Sequence, residues 1–406
     1  MLRVGLIGIG GHSRAHQQAI SALAEQVRAV LVCACDNALE RVGEQAAALR
    51  AQGAEVYGEL DAMLAAAGGR VDVMGIPAGI ASHRPLTVRC LEAGFHVIVE
   101  KPPAATIQDV DAMIAAARRT GRLCLVHFQS WWFSPVRALK QAIADGRLGA
   151  IRRVTVHALW RRLDNYYQRN DWAGQIKHHG QWVLDGTINN PLAHQINNIL
   201  YFASTSPTEP ATPVRVRAEL YHAHEIAAED TSSVLIETDT GAVCQAALTT
   251  CTASGHEGPL IEVTGSKGSA TLDPDRKLVL RPDGEGSQTV EADVPREHVG
   301  PVYADVADHF EGRPAGLHCT IARTRAFMLA VNGAWESSRG AHAIDPAYVT
   351  REPAGESVQT TVAGLDDLVR RSVADGKTFS ELGAPWATPT DWFDLDGYRS
   401  FEPDWI

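Results

Sequence analysis

Four stretches of this chain carry side chains suited to redox and proton chemistry. The first is Gly8-Ile9-Gly10-Gly11-His12-Ser13, which follows the apolar run Val4–Ile7 and opens a helix-like segment, Ser13–Ala24. Glycines at a strand–turn–helix junction let backbone N–H groups approach a pyrophosphate at the helix N-terminus. The third glycine position is held by Ser13, small enough for helix and strand to come together. Asp36 ends the second run, Ala29–Cys35, 23 residues after Ser13. A carboxylate there suits the adenosine ribose hydroxyls and repels a 2′-phosphate, favouring NAD over NADP. Its plainer role would be to cap the next helix. Glu100-Lys101-Pro102-Pro103 ends a fifth run, where a lysine braced by prolines could exchange a proton with a reacting oxygen; by residue type alone, a surface lysine opening a loop is the commoner case.

The remaining chemistry lies between Leu159 and His194. Asn165-Tyr166-Tyr167-Gln168-Arg169-Asn170-Asp171-Trp172 is dense in flat aromatic faces and hydrogen-bond donors, which suit a polyhydroxylated ring. Downstream, Asp185 and Asn189 precede Asn190-Pro191, read as the cap and first position of a helix that carries His194. Lys177-His178-His179-Gly180 is read as pocket rim and no metal is expected, because adjacent histidines on regular backbone do not converge on one ion.

The elements that must position these residues fall into two patterns. From Met1 to about Phe128, the apolar runs Val4–Ile7, Ala29–Cys35, Ala54–Tyr57, Val71–Ile76, His96–Val99 and Leu123–Phe128 alternate with helix-like segments. Those segments are Ser13–Ala24, Asn37–Ala51, Leu60–Ala67, His83–Ala93 and Ile107–Arg119, with Ser82 expected to cap the fourth and Gly94 to end it. Continuous apolar strands separated by helices imply a parallel α/β sheet, whose ligands bind at the C-terminal strand ends. After the aromatic segment Phe128–Pro135, strand-like runs recur at Ile151–Trp160, Val214–His222, Ser233–Thr238, Ala242–Thr250, Pro259–Thr264 and Ala270–Asp273. Turns at Asp239-Thr240-Gly241 and Gly265–Gly268 join consecutive runs, so the second sheet is expected to be mostly antiparallel. Helices are expected at Val136–Asp145, Tyr303–Glu311, Cys319–Ser338 and Val362–Asp375. The tail from Ala384, rich in tryptophan and phenylalanine, is expected to dock on its own chain or a neighbour. The expected divisions are 1–127, 128–345 and 346–406.

Taken in order, the glycine turn, Asp36, Pro77 followed by His83, and Glu100-Lys101-Pro102 after Glu92–Val99 resemble the glucose–fructose oxidoreductase/inositol dehydrogenase (Gfo/Idh/MocA) family. The resemblance implies a Rossmann domain, a second α+β domain with a large open sheet whose outer face commonly pairs subunits as dimers or tetramers, and a nicotinamide cofactor. It also implies a lysine, here Lys101, at the substrate carbinol or carbonyl oxygen. In that family an Asp at the position of Asp185 is followed four residues later by a His that works with the lysine. Asn189 stands there instead, and His194, nine residues after Asp185, is the nearby imidazole. The expected catalytic set is therefore Lys101, Asp185 and His194, with Asn189 orienting. The cofactor set is Gly8, Ile9, Gly10, Gly11, His12, Ser13, Asp36, Pro77, His83, Glu100, Lys101 and Gln129. The substrate set adds Trp131, Tyr166, Tyr167, Arg169, Asn170, Trp172, Asp185, Asn189 and His194.

Composition bounds the rest. The 406 residues are 45% hydrophobic, enough for two cores, and 37 Lys+Arg against 48 Asp+Glu give a net charge of −11. An acidic chain without a basic run is a poor partner for nucleic acid or a membrane surface, though a small basic pocket for an anionic substrate is compatible with it. Seven cysteines, none in a C-x-x-C pair, fit reduced thiols in the cytoplasm. The leading expectation is a dehydrogenase acting on a sugar, cyclitol or derivative. Its rivals are an NAD-dependent glycosidase working by transient oxidation and a non-catalytic NAD-binding regulator.

Overall fold

The computed structural model describes residues 1–273, 277–291 and 299–405. The chain forms two compact units. The first comprises Met1–Ala104, Asp109–Trp132 and the described residues of Val294–Thr324; the second comprises Ala105–Gln108, the described residues of Phe133–Asp293, and Arg325 onward. Residues 299–324 thus join the first unit, and 346–405 form part of the second.

The first unit alternates strands β1 (Leu2–Ile7), β2 (Ala29–Cys35), β3 (Glu55–Tyr57), β4 (Val73–Ile76), β5 (His96–Glu100) and β6 (Cys124–His127) with helices. These are α1 (Ser13–Glu25), α2 (Gly43–Ala51), α3 (Leu60–Ala67), α4 (Ile80–Glu92) and α5 (Ile107–Thr120). All six strands run parallel in the order β3-β2-β1-β4-β5-β6. The order reverses between β1 and β4, the crevice where such sheets bind ligands, and the glycine turn leaves β1 at that point.

Several expected boundaries move, each for a local reason. Asp36 Oδ1 accepts the Ala38 N–H at 3.0 Å, drawing the chain into turns, and α2 starts at Gly43 rather than Asn37. Helix α4 begins at Ile80 after Gly79 with no side-chain cap, so Ser82 and Pro85 lie inside it and Ser82 caps nothing. Cys319–Ile321 is not helical: Val126 N–H donates to Cys319 O and Ile321 N–H to Cys124 O, which extends the sheet edge beside β6.

The second unit begins with α6 (Ser134–Ala144), β7 (Ile151–Trp160), the single-turn α7 (Asp164–Tyr167), the hairpin β8 (Lys177–His178) and β9 (Gln181–Trp182), and α8 (Ala193–Phe202). Strands β10 (Pro213–His222), β11 (Thr231–Thr238), β12 (Val243–Thr249), β13 (His256–Gly265), β14 (Gly268–Leu272), β15 (Leu278–Pro282) and β16 (Gln288–Val290) follow. Past α9 (Gly300–Phe310), which packs in the first unit, come α10 (Arg325–Ser338), β17 (His342–Ala343), the hairpin β18 (Val349–Ala354) and β19 (Ser357–Val362), α11 (Leu365–Asp375) and β20 (Phe393–Asp394). The main sheet has ten strands in the order β16-β15-β14-β13-β7-β12-β11-β10-β17, with β20 on β10. It is antiparallel except where β7 meets β12 and β10 meets β17.

Period-two alternation decides what covers this sheet. On β12, Cys244 Sγ donates to Ile199 O of α8, whereas Gln245 Nε2, one residue on, donates to Ser372 O of α11. Leu365, Val369, Val373 and Phe379 pack with Leu159, Tyr221 and Ala247 on that second face. The sheet is therefore covered on both faces at its centre. The expected helix from Val362 shortens because 357–362 pairs as β19 with β18. The aromatic tail docks on its own unit: Phe401 is fully buried against Trp182, Trp405 stacks on Trp335, and the Tyr398 hydroxyl donates to Glu336.

Candidate active site

In the first unit the glycine turn is built for backbone approach. Gly8 has φ +106°, and a Cβ there would sit 3.0 Å from the Pro77 carbonyl at the neighbouring strand end. Gly11, at φ +56°, faces open space. Ser13 closes the turn by donating its hydroxyl to Gly8 O at 2.7 Å while fully buried, which explains how serine serves where glycine is usual. Asp36 Oδ2 accepts the Ile9 N–H at 2.9 Å, tying the end of β2 to the turn rather than capping a helix. Open space at Gly11, convergent amides and a half-buried carboxylate at the end of β2 fit a dinucleotide with unphosphorylated ribose hydroxyls. Asp36→Ala is expected to weaken NADH binding by about 10-fold, since a charged hydrogen bond is worth ~1.5–3 kcal/mol, and to narrow the preference over NADPH. Parallel fluorescence titrations with the two nucleotides measure this.

At the end of β5, Glu100 is enclosed by imidazoles. Its Oε1 lies 2.7 Å from both His16 Nε2 and His127 Nδ1, with His12 Nε2 at 3.5 Å. Burial pushes the Glu100 carboxyl up, but His127, His12 and His16 together outweigh it, and the group stays ionised well below the usual carboxylate range. Burial also keeps His16 uncharged, and its Nδ1 meets the Tyr303 hydroxyl at 2.9 Å. Tyr303 comes from α9, far away in sequence; it fits because position 75 on β4 is glycine, where a Cβ would overlap the hydroxyl. Glu100 Oε2 accepts the Lys101 N–H at 3.1 Å, so the cage fixes the backbone from which the half-buried Lys101 side chain departs. His83 is buried with Nδ1 2.7 Å from Pro102 O and Nε2 2.9 Å from Ala78 O. It clamps the ends of β4 and β5 through backbone and has no nitrogen left for a cofactor. His12, His16, Glu100 and His127 also form a set of potential metal ligands, as do Asp171, His178 and His179. The latter corrects an assumption about adjacent histidines: His179 has φ +47°, an irregular backbone that brings the rings of His178 and His179 within 4.0 Å.

In the second unit the site is organised by one carboxylate. Asp185 is 1% exposed. Its Oδ2 accepts from Arg169 Nη2 at 3.0 Å and Gly174 N–H at 2.8 Å, and its Oδ1 from Asn190 Nδ2 at 2.5 Å. A carboxylate so fully engaged orients its neighbours and is poorly placed to shuttle protons. The Arg169 guanidinium lies 4.0 Å over the Tyr166 ring and 5.2 Å from that of Trp172, so the aromatic loop and the Asp185 loop are held as one body. Behind it stands Glu229, fully enclosed, whose Oε1 accepts the Ile188 N–H at 2.9 Å while Oε2 has no partner. Burial pushes its carboxyl up to about 8. The folded chain thus holds a proton that the unfolded chain releases between the ordinary carboxylate pKa and about 8. This stabilisation is present at acid pH and lost as pH rises through that window. Melts of Glu229→Gln and the parent near pH 5 and near pH 8 are expected to show the variant gaining a few kcal/mol on the parent at the higher pH.

Other expected site residues are placed differently. Trp131 is fully buried in the first unit and presents no surface to a substrate. Tyr167 turns inward, its hydroxyl 2.7 Å from Thr250 Oγ1 and its ring against His224. Asn189 is also fully buried, donating to Val183 O, and it is the half-buried Asn190 that orients Asp185. Asn190 does not cap a helix: α8 starts at Ala193 after Leu192, with half-buried His194 its second residue. Asn170 Oδ1 accepts the Trp172 N–H and shapes the loop. Sequence reasoning missed Tyr303, His127 and Glu229. Glu229 left one sign, a charged pair Glu229-Asp230 beside a strand rich in threonine and serine.

Comparison with known proteins agrees with this fold. A model of the GFO_IDH_MocA oxidoreductase family, with an NAD-binding Rossmann fold, matches residues 2–128, and the Gfo/Idh/MocA C-terminal domain matches 136–271. The chain is 28% identical over 300 residues to D-apiose dehydrogenase of Paraburkholderia graminis, covering 71% of this chain and 72% of that one. It is 32% identical over 160 residues to D-glucoside 3-dehydrogenase of Escherichia coli, a match spanning 39% of this chain and 44% of the relative. The WlbA dehydrogenase of Bordetella pertussis, solved with NADH and UDP-GlcNAcA, superposes with a TM-score of 0.67 at 25% identity, covering 83% of this chain and 96% of that one. A levoglucosan dehydrogenase solved with NADH and levoglucosan shares the fold, with a TM-score of 0.69 at 20% identity over 83% of this chain and 97% of that one. With one family's two models matching in succession along it, the chain belongs to the Gfo/Idh/MocA family of NAD-binding oxidoreductases.

Proposed function

We propose that this protein is an NAD-dependent dehydrogenase that oxidises a carbinol of a sugar, a cyclitol or a derivative. The observation that carries the reading is Lys101, set at a C-terminal strand end beside the glycine turn and fixed by the Glu100 cage. Bound NAD supplies the hydride acceptor. Lys101 Nζ takes the hydroxyl proton as the carbonyl forms and donates it back in the reverse direction. Tyr166, Trp172 and Arg169 offer ring faces and donors to a polyhydroxylated substrate. Asp185 positions Arg169 and Asn190, which leaves His194 as the second candidate for proton transfer. The D-apiose and D-glucoside relatives support a carbohydrate substrate. All seven cysteines are buried and none forms a disulfide, which supports a reducing compartment such as the cytoplasm, and no described helix is long and apolar enough to cross a membrane. The test is NADH formation by purified protein supplied with NAD and a panel of aldoses, glycosides and inositols; no NADH with any of them contradicts the reading.

A further inference from the structure

Arg162, on the segment following β7, is a cation whose donors the protein uses only in part, one toward the Arg161 carbonyl and one toward the Tyr166 hydroxyl. Its guanidinium lies 4.9 Å from the Tyr166 ring and 5.7 Å from that of Trp160. Stacking engages the flat faces of a guanidinium and leaves its N–H edges pointing outward. Among the described residues, Nη1 donates to the Arg161 carbonyl at 3.2 Å, and Nε is buried without an acceptor. Among the described residues, no carboxylate lies within ion-pair distance of it. Those nearby are committed elsewhere: Asp164 to Arg351, Glu257 to Arg370, and Asp185 to Arg169. The Nη edge is open, and an anionic ligand group would match its remaining N–H donors. The place is also right. Arg162 and Arg169 share the Tyr166 ring, at 4.9 and 4.0 Å, so Arg162 stands in the same cluster as the Arg169–Asp185 pair. Within a chain of net charge −11, this is a local basic spot.

We propose that Arg162 is an anion-recognition residue and that the substrate carries an acidic group, a carboxylate or a phosphate, on its sugar frame. An Arg fork matches either group through two N–H···O bonds. The assignment rests on the carbohydrate reading above but concerns binding rather than hydride transfer, so the two can fail separately. The probes are D-glucose, D-glucuronate and D-glucose 6-phosphate, followed both by NADH formation and by calorimetric titration onto the protein with NAD present. The expected result is that at least one of the two acids is preferred over glucose by on the order of 10- to 100-fold. That ratio should collapse in Arg162→Gln and return in part in Arg162→Lys, which keeps the charge without the fork. Whichever acid is preferred identifies the group. Equal use of acid and neutral sugar, an unchanged ratio in Arg162→Gln, or no binding of either acid overturns the assignment. Tight binding of an acid with no NADH from any probe would keep the anion site and count against the dehydrogenase. If Arg162→Gln fails to fold, the parent ratio and the Lys variant still decide.

Discussion

Replacing Lys101 with Met is expected to lower kcat by about 10²- to 10⁴-fold, the range of a positioned proton-transfer group, while NADH affinity changes by less than about 3-fold. The expectation follows from how the strand end is built. The lysine's backbone is held from Glu100 Oε2, and Glu100 in turn by His16 and His127, so removing the ammonium leaves that frame intact. The glycine turn is closed by its own bonds, Ser13 Oγ to Gly8 O and Ile9 N–H to Asp36 Oδ2. Met keeps much of the aliphatic stem, which isolates the charge and the proton from the packing. Steady-state kinetics paired with NADH fluorescence titration would measure both quantities. A variant that loses nucleotide binding along with turnover would point to Lys101 as a cofactor ligand. One that keeps parental turnover would remove Lys101 from the chemistry.

The second large effect is expected at Gly186. A Cβ there would fall inside the Glu229 carboxyl group, which is buried and tethered to the Ile188 N–H. Neither side can yield easily, because Thr187 N–H donates to Glu229 O and Asn190 N–H to Gly186 O, knitting the loop to the start of β11. Gly186→Ala should therefore cost about 3 kcal/mol or more of stability, at or above the usual range for overpacking. Its kcat/KM should fall on the order of 100-fold, because Asp185 and Asn190 move with the loop and the Arg169 contact goes with them. Glu229→Ala opens room for the methyl, so the double variant should be less destabilised than the two single losses added together. Denaturant melts of the four proteins form the double-mutant cycle that tests it. Additive losses would mean the clash is absorbed elsewhere.

How much of this was legible in the sequence depends on how far each feature reaches along the chain. The Rossmann half reads well because its strands are buried on both faces and its motifs are local: β2 and α3 fall at their expected bounds, and the glycine turn, Asp36 and Lys101 occupy the strand ends expected of them. The Glu100 cage was invisible, because it joins His16, Glu100, His127 and Tyr303 from four separate elements and depends on a glycine at position 75. In the second unit the aromatic loop stands out by composition, yet pattern alone could not say which way each side chain turns. Tyr166 stacks between arginines while its neighbour Tyr167 enters the core, and Asn189 is buried while Asn190 holds Asp185. Short polar strands such as β18 and β19 carry little hydrophobic alternation and could not be distinguished from loop. The Asn189 departure from the family pattern shifts attention to His194 and to Asn190.

The most direct test of the central claim is the stoichiometry of purified protein turning over a carbohydrate with NAD in excess. The dehydrogenase account predicts one NADH accumulated for each sugar carbonyl formed, with no glycosidic bond cleaved. Release of sugar from a glycoside with no net NADH would contradict it and point to an enzyme that oxidises and then re-reduces its substrate in place.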